Sequence, residues 1–453
     1  MAEQLTALDA TFLELEEADE TAHMHVGGAM VFDPLPGGGA PGLEDVRRHL
    51  DGRLDALPRY RQRLSTAHTG GLSWPSWVAD GTFDIARHVR RAGLPAPGGR
   101  AELFEYCARV WSHRLDRRRP LWEVVLLEGL ADGRWALITK THHCMVDGIS
   151  SVDAAHLLLD TSPEPSDAPP PPPPEPMKRN GLIGAATHAA LHPRESLHKA
   201  RLMAELLVRD ELVPAPHTGL NVPIGTERRF AATSIGLDEV KAIKRSLGGT
   251  VNDVVLAACA GAFRRLMLAR GETPPDAGLR TMVPVNVRAQ EDRGKLGNQV
   301  SSLFVHLPVA EPDALRRYRL IEAEVRELKS HEQAAGGQAL VSITALAPPV
   351  LHSFAARSLF ASRLFNTTIT NVPGPQLPLY AFGARMCEVY PLVPLAAEHA
   401  TVVAVISYDG RLFFGLIADR DEVPDLAEFR TGLDDTLAEL GDLAAAHAEV
   451  MPA

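Results

Sequence analysis

Two adjacent histidines, His142 and His143, occupy a position in the chain that suits acid–base chemistry. Residues 134–140 alternate between apolar and polar side chains, which predicts a strand, and residues 149–159 have apolar side chains at helical spacing. The histidines therefore follow the end of a strand, where the chain turns. Side chains at such positions are anchored by a rigid sheet and still reach into a cleft.

The chemistry available there follows from the imidazole ring. Imidazole has a pKa near ~6.5, so its neutral form takes a proton from an alcohol or a thiol at neutral pH. A positioned base of this kind contributes roughly 10²–10⁴-fold in rate. Asp147 follows four residues after His143, and Gly148 permits a sharp bend. Two roles stay open for Asp147: it orients an imidazole ring, or it holds the turn by pairing with an arginine.

Other interpretations of the same residues involve no acid–base role. His and Asp are common metal ligands, but the sequence has no further His, Cys and Asp cluster at ligand spacing. A His-His pair in isolation is more often structural. Cys144, next to His143, suggests a nucleophile, but adjacency does not establish the geometry that attack requires. We interpret Cys144 as a small residue that fills the turn.

Two predicted hairpins share one turn sequence, and the first of them leads to the histidines. Their strands and turns are residues 121–130 and 134–141 around Asp132-Gly133, and residues 401–407 and 412–418 around Asp409-Gly410. Counted from the two turns, His143 falls opposite Arg420, and each hairpin leads into a predicted helix. We infer two related lobes, of which only the first carries the histidines.

A proline-rich segment divides the chain. Residues 169–174 are an unbroken run of prolines, which cannot join a helix or the interior of a sheet. We therefore predict an N-terminal lobe at residues 1–162, a linker with a crossover helix at residues 163–217, and a C-terminal lobe at residues 218–453. The linker reads as a semi-rigid strap between the lobes.

Three further stretches bear on the site. Asn252 is predicted to cap a largely apolar core helix over residues 253–270, which Gly271 ends. Residues 342–365 are rich in large apolar side chains and form a helix buried between domains, the wall of an acyl channel, or a face that dips into a lipid surface. The basic run at residues 117–119 is either a solvated helix end or a contact for phosphates.

Composition limits the function classes. The chain has 453 residues, a hydrophobic fraction of 45% and a net charge of −11, which describe a globular protein of about two domains and argue against a nucleic-acid partner. Four scattered cysteines indicate reduced thiols in a cytosol. The acidic residues 1–20 do not form a secretory signal, and no apolar run is long enough to span a membrane.

Several motifs, in order along nearly the whole chain, carry a resemblance to a known family. They are residues 8–12 (LDATF), 120–122 (PLW), 142–148 (HHCMVDG), 250–253 (TVND), 283–288 (VPVNVR), 297–299 (GNQ) and 370–375 (TNVPGP). The histidine motif resembles the His-His-x-x-x-Asp-Gly signature of CoA-dependent acyltransferases. The complete set resembles the bacterial wax ester synthase/diacylglycerol acyltransferase family.

The resemblance implies a fold and a set of site residues. The fold is α/β (α+β), with two chloramphenicol-acetyltransferase-like lobes whose mixed sheets face each other across a central tunnel. The catalytic residues implied are His143 as general base, with His142 and Asp147 in support. The substrate-binding residues implied are Gly148, Asn252 and Asn371, and no metal is expected.

The implied reaction moves a long-chain acyl group from acyl-CoA to the hydroxyl of diacylglycerol or a fatty alcohol. Acyl-CoA is then a co-substrate, and no cofactor is expected. Two alternatives stay open: acylation of a secondary-metabolite hydroxyl, and a non-catalytic lipid-binding protein of storage droplets. We expect a cytoplasmic protein without a transmembrane segment, for which peripheral contact with the inner membrane face or with lipid droplets stays open.

Overall fold

The computed structural model describes residues 3–5, 7–65, 75–145, 158–164, 214–286, 300–335 and 364–450. The helices of these ranges are α1 Ala7–Ala18, α2 Leu43–Arg53, α3 Arg100–Trp111, α4 Leu237–Leu247, α5 Val251–Ala269, α6 Ala314–Ala335 and α7 Leu426–Val450. The first strands are β1 Glu3–Gln4, β2 His25–Phe32, β3 Gln62–Leu64, β4 Ser76–Ala79, β5 Val89–Gly93, β6 Trp122–Glu128 and β7 Trp135–His142. The remaining strands are β8 Arg228–Gly236, β9 Leu279–Asn286, β10 Val300–Leu307, β11 Thr367–Val372, β12 Tyr380–Ala381, β13 Ala384–Leu392, β14 Thr401–Tyr408 and β15 Arg411–Asp419.

Two six-stranded mixed sheets organise the described chain. The first has the order β12-β13-β2-β7-β6-β5 and the second the order β10-β9-β11-β14-β15-β8, beside a small sheet of β1, β4 and β3. The pair β5–β6 is parallel in the first sheet, and β11 runs parallel to both β9 and β14 in the second. These mixed sheets confirm the α/β fold class.

The two sheets contain the same four-stranded unit. β2-β7-β6-β5 and β8-β15-β14-β11 have equal order, and in each unit the last pair is parallel and the other pairs are antiparallel. Asp132 and Asp409, in the two hairpin turns, both adopt positive φ angles, 60° and 43°. The shared turn sequence therefore does mark a structural repeat.

Helices α4, α5, α6 and α7 pack together beside the second sheet. Most of α5 is buried, as expected for a helix that is apolar on nearly every side. None of the described helices alone is long and apolar enough to cross a membrane, and α4 with α5 meets that criterion only as a pair bent by 95°.

Proline stands inside a strand at one position of the second sheet. Pro284 pairs with Ser302 across β9–β10, whereas β11 pairs with β9 only at Thr281 and Met282. Pro284 thus lies beyond the stretch of β9 that has a partner on both sides. A missing backbone N–H is tolerated more easily there than in a stretch that is paired on both sides, because fewer ladder bonds need one.

The boundaries of the predicted lobes stay a prediction, but the chain crosses between the sheets. Strand β13 lies at residues 384–392, far into the C-terminal part, and pairs with β2 of the first sheet. Residues 146–157, most of the linker, and residues 336–363 of the apolar stretch lie outside the described residues. The central tunnel therefore also stays a prediction.

Where β13 meets the second sheet, the backbones are in close contact. A Cβ atom on Gly415 of β15 would lie 1.9 Å from the Pro391 carbonyl oxygen and 3.3 Å from the Phe230 ring. Only glycine permits this approach without a shift of the backbone, so Gly415 sets the distance between the two sheets.

We expect Gly415→Ala to lower the midpoint of thermal unfolding by an amount equivalent to about 1–3 kcal/mol, the usual cost of overpacking. Gly37→Ala is the matched control, because a Cβ there meets no atom within 4 Å. It should change stability by no more than about 0.5 kcal/mol. Equal midpoints for the two variants would show that the sheets do not meet closely at Gly415.

Candidate active site

The backbone of the His-His turn is held from both sides. β7 ends at His142, and a 3₁₀ turn, His143–Met145, follows. The His142 N–H donates to the Leu121 carbonyl at 2.9 Å, and the His143 N–H donates to the Met24 carbonyl at 2.8 Å. These bonds fix the direction in which each imidazole leaves the chain.

Both ring nitrogens of His142 are engaged inside the protein. The Cys144 backbone N–H donates to Nδ1 at 3.2 Å, so the ring proton is on Nε2, which donates to Glu16 Oε2 at 3.2 Å. The side chain is 1% exposed. Burial lowers the pKa of His142, against the hydrogen bond to Glu16, which raises it. A neutral ring thus closes the turn on one side and binds helix α1 on the other.

Glu16 is ionised although it is buried. Burial alone would raise the pKa of this carboxyl, but the hydrogen bond from His142 and the charge of Arg117 outweigh it and lower the pKa to about 2. Arg117 donates to Glu16 Oε2 from Nε at 3.1 Å and from Nη2 at 2.6 Å, and to Glu17 from Nη1 at 2.7 Å. The first arginine of the basic run is therefore a structural partner of the site.

His143 has a different environment from His142. Its side chain is half-buried, and its ring stacks on Phe12, with ring centroids 3.8 Å apart and planes 22° apart. Phe12 and Glu16 are four residues apart on α1 and therefore share one face of that helix. One helical face thus contacts both histidines, and it leaves His143 partly accessible.

A third histidine supports the pair from the neighbouring strand. His25 is the cross-strand partner of His142, fully buried, and its Nε2 lies 3.6 Å from Glu16 Oε1. The Leu115 backbone N–H also approaches His25 Nε2, at 3.4 Å. Burial lowers the pKa of His25 well below its ordinary value, so the ring is neutral beside the ionised Glu16.

The second lobe holds the equivalent strand end with different residues. Counted from the hairpin turns, His142 corresponds to Asp419, which pairs with Arg228 in β8 as His142 pairs with His25 in β2. Asp419 Oδ1 accepts the Asp421 N–H at 3.0 Å, just as His142 Nδ1 accepts the N–H two residues further on. Both side chains close the turn that follows their strand.

Arg420, which corresponds to His143, extends to Glu105 of α3 at 3.0 Å. The arginine is exposed, and it pairs a helix of the first lobe with the strand end of the second. Both lobes thus have a side chain that closes the turn, His142 or Asp419. They differ in the residue that follows it, His143 or Arg420.

Asn252 and Asn371 lie together, although Asn252 is not the helix cap. The Asn371 amide donates to Asn252 Oδ1 at 3.5 Å, and both side chains are half-buried. The prediction that Asn252 caps α5 is wrong, because the helix begins at Val251. Its cap is Thr250, which exchanges hydrogen bonds with Asp253. The amide of Asn252 is therefore free of a capping role and meets Asn371.

Asp147 and Gly148, the other predicted site residues, lie outside the described residues, so the two roles of Asp147 stay open. The Cys144 thiol is fully buried, and burial raises its pKa well above the ordinary value, which is unfavourable for a thiolate nucleophile. Within the described ranges, no three His, Cys, Asp or Glu side chains are grouped so as to hold a metal ion.

Sequence reasoning missed the carboxylate of this site. Glu16 lies 126 residues before His142 in the chain, and a local motif does not report such a contact. Phe12 is the last residue of the motif at residues 8–12. Its four-residue spacing from Glu16 indicates that both side chains lie on one face of a helix. Nothing in the sequence around Arg117 distinguishes a buried partner from a solvated helix end.

We predict that Glu16 contributes stability in a defined pH window. Its folded-state pKa of about 2 lies below the ordinary 4.5, so this contribution is present at neutral pH and is lost as pH falls through about 2. The difference corresponds to about 3 kcal/mol. Glu16→Gln should therefore unfold at a lower temperature than wild type at pH 7, and the gap should shrink below about pH 4.5.

Glu17→Gln is the control, because Glu17 pairs with the same arginine but is 58% exposed. It should cost no more than about 1 kcal/mol. Thermal unfolding of the three proteins between about pH 3 and pH 7 provides the test. A constant gap between wild type and Glu16→Gln over that range would contradict an ionised, buried Glu16.

Comparison with known proteins identifies the family of this chain. Residues 5–255 match the family model described as the wax ester synthase/diacylglycerol acyltransferase catalytic domain, and residues 296–441 match the WS/DGAT C-terminal domain. The chain is 36% identical over 449 residues to a probable diacylglycerol O-acyltransferase of Mycobacterium tuberculosis, tgs1, covering 96% of this chain and 95% of that protein. A second such protein of that organism, tgs2, is 35% identical over 448 residues, with 95% and 97% covered.

Solved structures show the same relationship. The wax ester synthase/diacylglycerol acyltransferase from Marinobacter aquaeolei VT8 superimposes with a TM-score of 0.75 at 31% identity, over 98% of this chain and all of that chain. The starter condensation domain of rhizomide synthetase superimposes with a TM-score of 0.61 at 15% identity, over 98% and 94%, and shares the two-lobed fold. This chain belongs to the wax ester synthase/diacylglycerol acyltransferase family.

Proposed function

We propose that the protein transfers a long-chain acyl group from acyl-CoA to the hydroxyl of diacylglycerol or a fatty alcohol, with His143 as general base. One observation carries the assignment of the base: the two adjacent histidines have separate environments. His142 is buried and hydrogen-bonded through both ring nitrogens, and His143 is half-buried with its ring stacked on Phe12. Family membership supplies the reaction class.

The proposed step needs only a proton acceptor and two bound substrates. A neutral nitrogen of His143 takes the hydroxyl proton as the oxygen attacks the thioester carbonyl. The tetrahedral oxyanion collapses, the C–S bond breaks, and the leaving CoA thiolate takes the proton from the imidazolium. No acyl-enzyme forms. Much of the acceleration then comes from holding the substrates together and stabilising the oxyanion.

The stacking on Phe12 supports this role. A face-to-face contact at 3.8 Å restricts rotation of the His143 ring, so the nitrogen that meets the hydroxyl keeps one direction. The hydrogen bonds from the His143 N–H to the Met24 carbonyl and from the His142 N–H to the Leu121 carbonyl hold the backbone that carries the ring. A base held in this way needs no rearrangement between substrate binding and proton transfer.

We assign substrate contacts to Asn252 and Asn371, whose amides meet and leave donor and acceptor groups for a polar part of a substrate. Gly148 is assigned to the same role and Asp147 to support of the turn, both on the family motif. Because the acceptors are insoluble in water, we further infer peripheral contact with a membrane or droplet surface.

The decisive experiment measures CoA-thiol release by the purified protein from palmitoyl-CoA, with and without hexadecanol or dioleoylglycerol presented in vesicles. We expect acceptor-dependent release that His143→Ala lowers by roughly 10²–10⁴-fold, the usual contribution of a positioned base. The fraction of protein that cosediments with the vesicles reports the peripheral contact.

His306→Ala is the matched control, because His306 is exposed on β10 and pairs only with Glu324 among the described residues. It should keep wild-type turnover. If folded His143→Ala retained more than about a tenth of that turnover, His143 would not be the base. Absence of release from wild type with every acceptor would instead refute the proposed reaction.

A further inference from the structure

A cleft of about 480 Å³ opens at the start of β6, next to the strand that carries the histidines. Its walls are the C-terminal end of α3, residues 113–120, and the beginning of β5. Its floor includes Trp122 and Glu123, which pair with Thr141 and Lys140, the two residues before His142. The cleft and the His-His turn thus share two adjacent strands.

Arginine dominates the lining. The five arginines are Arg87, Arg90, Arg109, Arg114 and Arg119. The carboxylates of the same lining are Asp116 and Glu123, so the lining has a formal net charge of +3 when histidines are left out of the count (five less two). The whole chain carries −11. A concave surface with a surplus of guanidinium groups attracts anions and concentrates them.

Each carboxylate of the lining is shared between two cationic side chains. Glu123 accepts from Arg90 and also lies 3.3 Å from the buried ammonium of Lys140. Asp116 lies 3.6 Å from Arg119, while both its oxygens accept from Arg118 at 2.9 and 3.0 Å. Among the described residues, the ion pair of Arg119 is the 3.6 Å contact with Asp116, which Arg118 shares.

Arg109 and Arg114 add positive charge without a close carboxylate. Arg109 lies 5.0 Å above the centroid of the Tyr106 ring, and within the described residues no ion pair joins it to an acidic side chain. Arg114 donates to the backbone carbonyls of Glu16 and Asp19 at 2.6 and 2.9 Å, with its Nε 3.9 Å from the Glu16 carboxylate. A planar guanidinium held over a ring is well placed to bind an oxyanion by two parallel bonds.

The same wall supports the active site. Arg114 lines the cleft and holds the backbone at Glu16, and Arg117, three residues on, holds the Glu16 carboxylate that accepts from His142. Between them, the Leu115 N–H contacts His25. A ligand in the cleft therefore rests against the segment that fixes the His-His turn.

We propose that this cleft binds the phosphate groups at the 3′-phosphoadenosine diphosphate end of the acyl-CoA donor, with Arg109 and Arg119 as its main phosphate ligands. The proposal rests on the proposed function, which supplies a donor with three phosphates. The concave shape favours one small polyanion over a flat lipid surface. Arg87 and Arg90 also line the cleft and are paired with Asp84 and Glu123.

Calorimetric titration with CoA and with adenosine 3′,5′-bisphosphate tests the assignment without turnover. Arg109→Ala and Arg119→Ala should each weaken both Kd values roughly tenfold, the effect of losing one charge-assisted hydrogen bond. Arg48→Ala is the control, because Arg48 is 76% exposed on α2 and pairs with Asp45. It should bind both ligands as wild type does.

Three outcomes would overturn the proposal. Unchanged Kd values in both cleft variants, in proteins that melt as wild type does, would remove the cleft from donor binding. Loss of binding to phosphatidylglycerol vesicles with unchanged CoA affinity would assign the arginines to lipid headgroups. Equal loss in Arg48→Ala would show only a general charge effect. If wild type turns over and the Kd values of the cleft variants are unchanged, the cleft assignment is refuted and the proposed reaction is not. If CoA binding depends on the cleft arginines but wild type shows no turnover, the proposed reaction is refuted.

Discussion

The hydrogen bond between His142 and the buried carboxylate of Glu16 is the contact on which the site depends. It requires an ionised acid inside the protein, which Arg117 makes tolerable, and a neutral imidazole whose second nitrogen accepts the Cys144 N–H. A buried charge without a partner would cost several kcal/mol. The carboxylate of Glu16, the ring of His142, the guanidinium of Arg117 and the Cys144 N–H therefore depend on one another. Together they hold the turn that carries His143.

The structural repeat explains why this arrangement is built on adjacent residues. In the second lobe, Asp419 closes the equivalent turn by accepting backbone N–H groups, and Arg228 takes the position of His25. A turn-closing side chain at the last strand position is therefore a property of the fold. The residue after this position differs between the lobes: it is His143 in the first lobe and Arg420 in the second.

Local patterns were sufficient for most elements near the site. The Asp-Gly turns, the strand before His142 and the apolar helix predicted at residues 253–270 all form, the helix at Val251–Ala269, because each depends on side chains within a few residues. The motif order also indicated the family. The error at Asn252 has a local cause: Thr250 and Asp253 form a reciprocal cap that outcompetes it.

Contacts between distant residues could not be read in this way. No local pattern indicates that Glu16 reaches His142, that β13 returns to the first sheet, or that five arginines from separate elements line one cleft. Each of these contacts depends on how whole helices and strands pack. Burial then decides whether a charged residue faces solvent or is the partner of a buried charge. Arg117 illustrates this, since it belongs to an apparently solvated run and is the counter-ion of the site.

The measurement that tests the account most directly is the ¹⁵N spectrum of histidine-labelled protein, with the His142 signals assigned by their loss in His142→Gln. The account predicts a ring protonated on Nε2 whose imidazolium forms only below the ordinary pKa of 6.5, because burial disfavours the charged form. An Nδ1-protonated ring, or an imidazolium forming near pH 6.5, would contradict the central claim that His142 is the fixed partner of Glu16 and leaves the chemistry to His143.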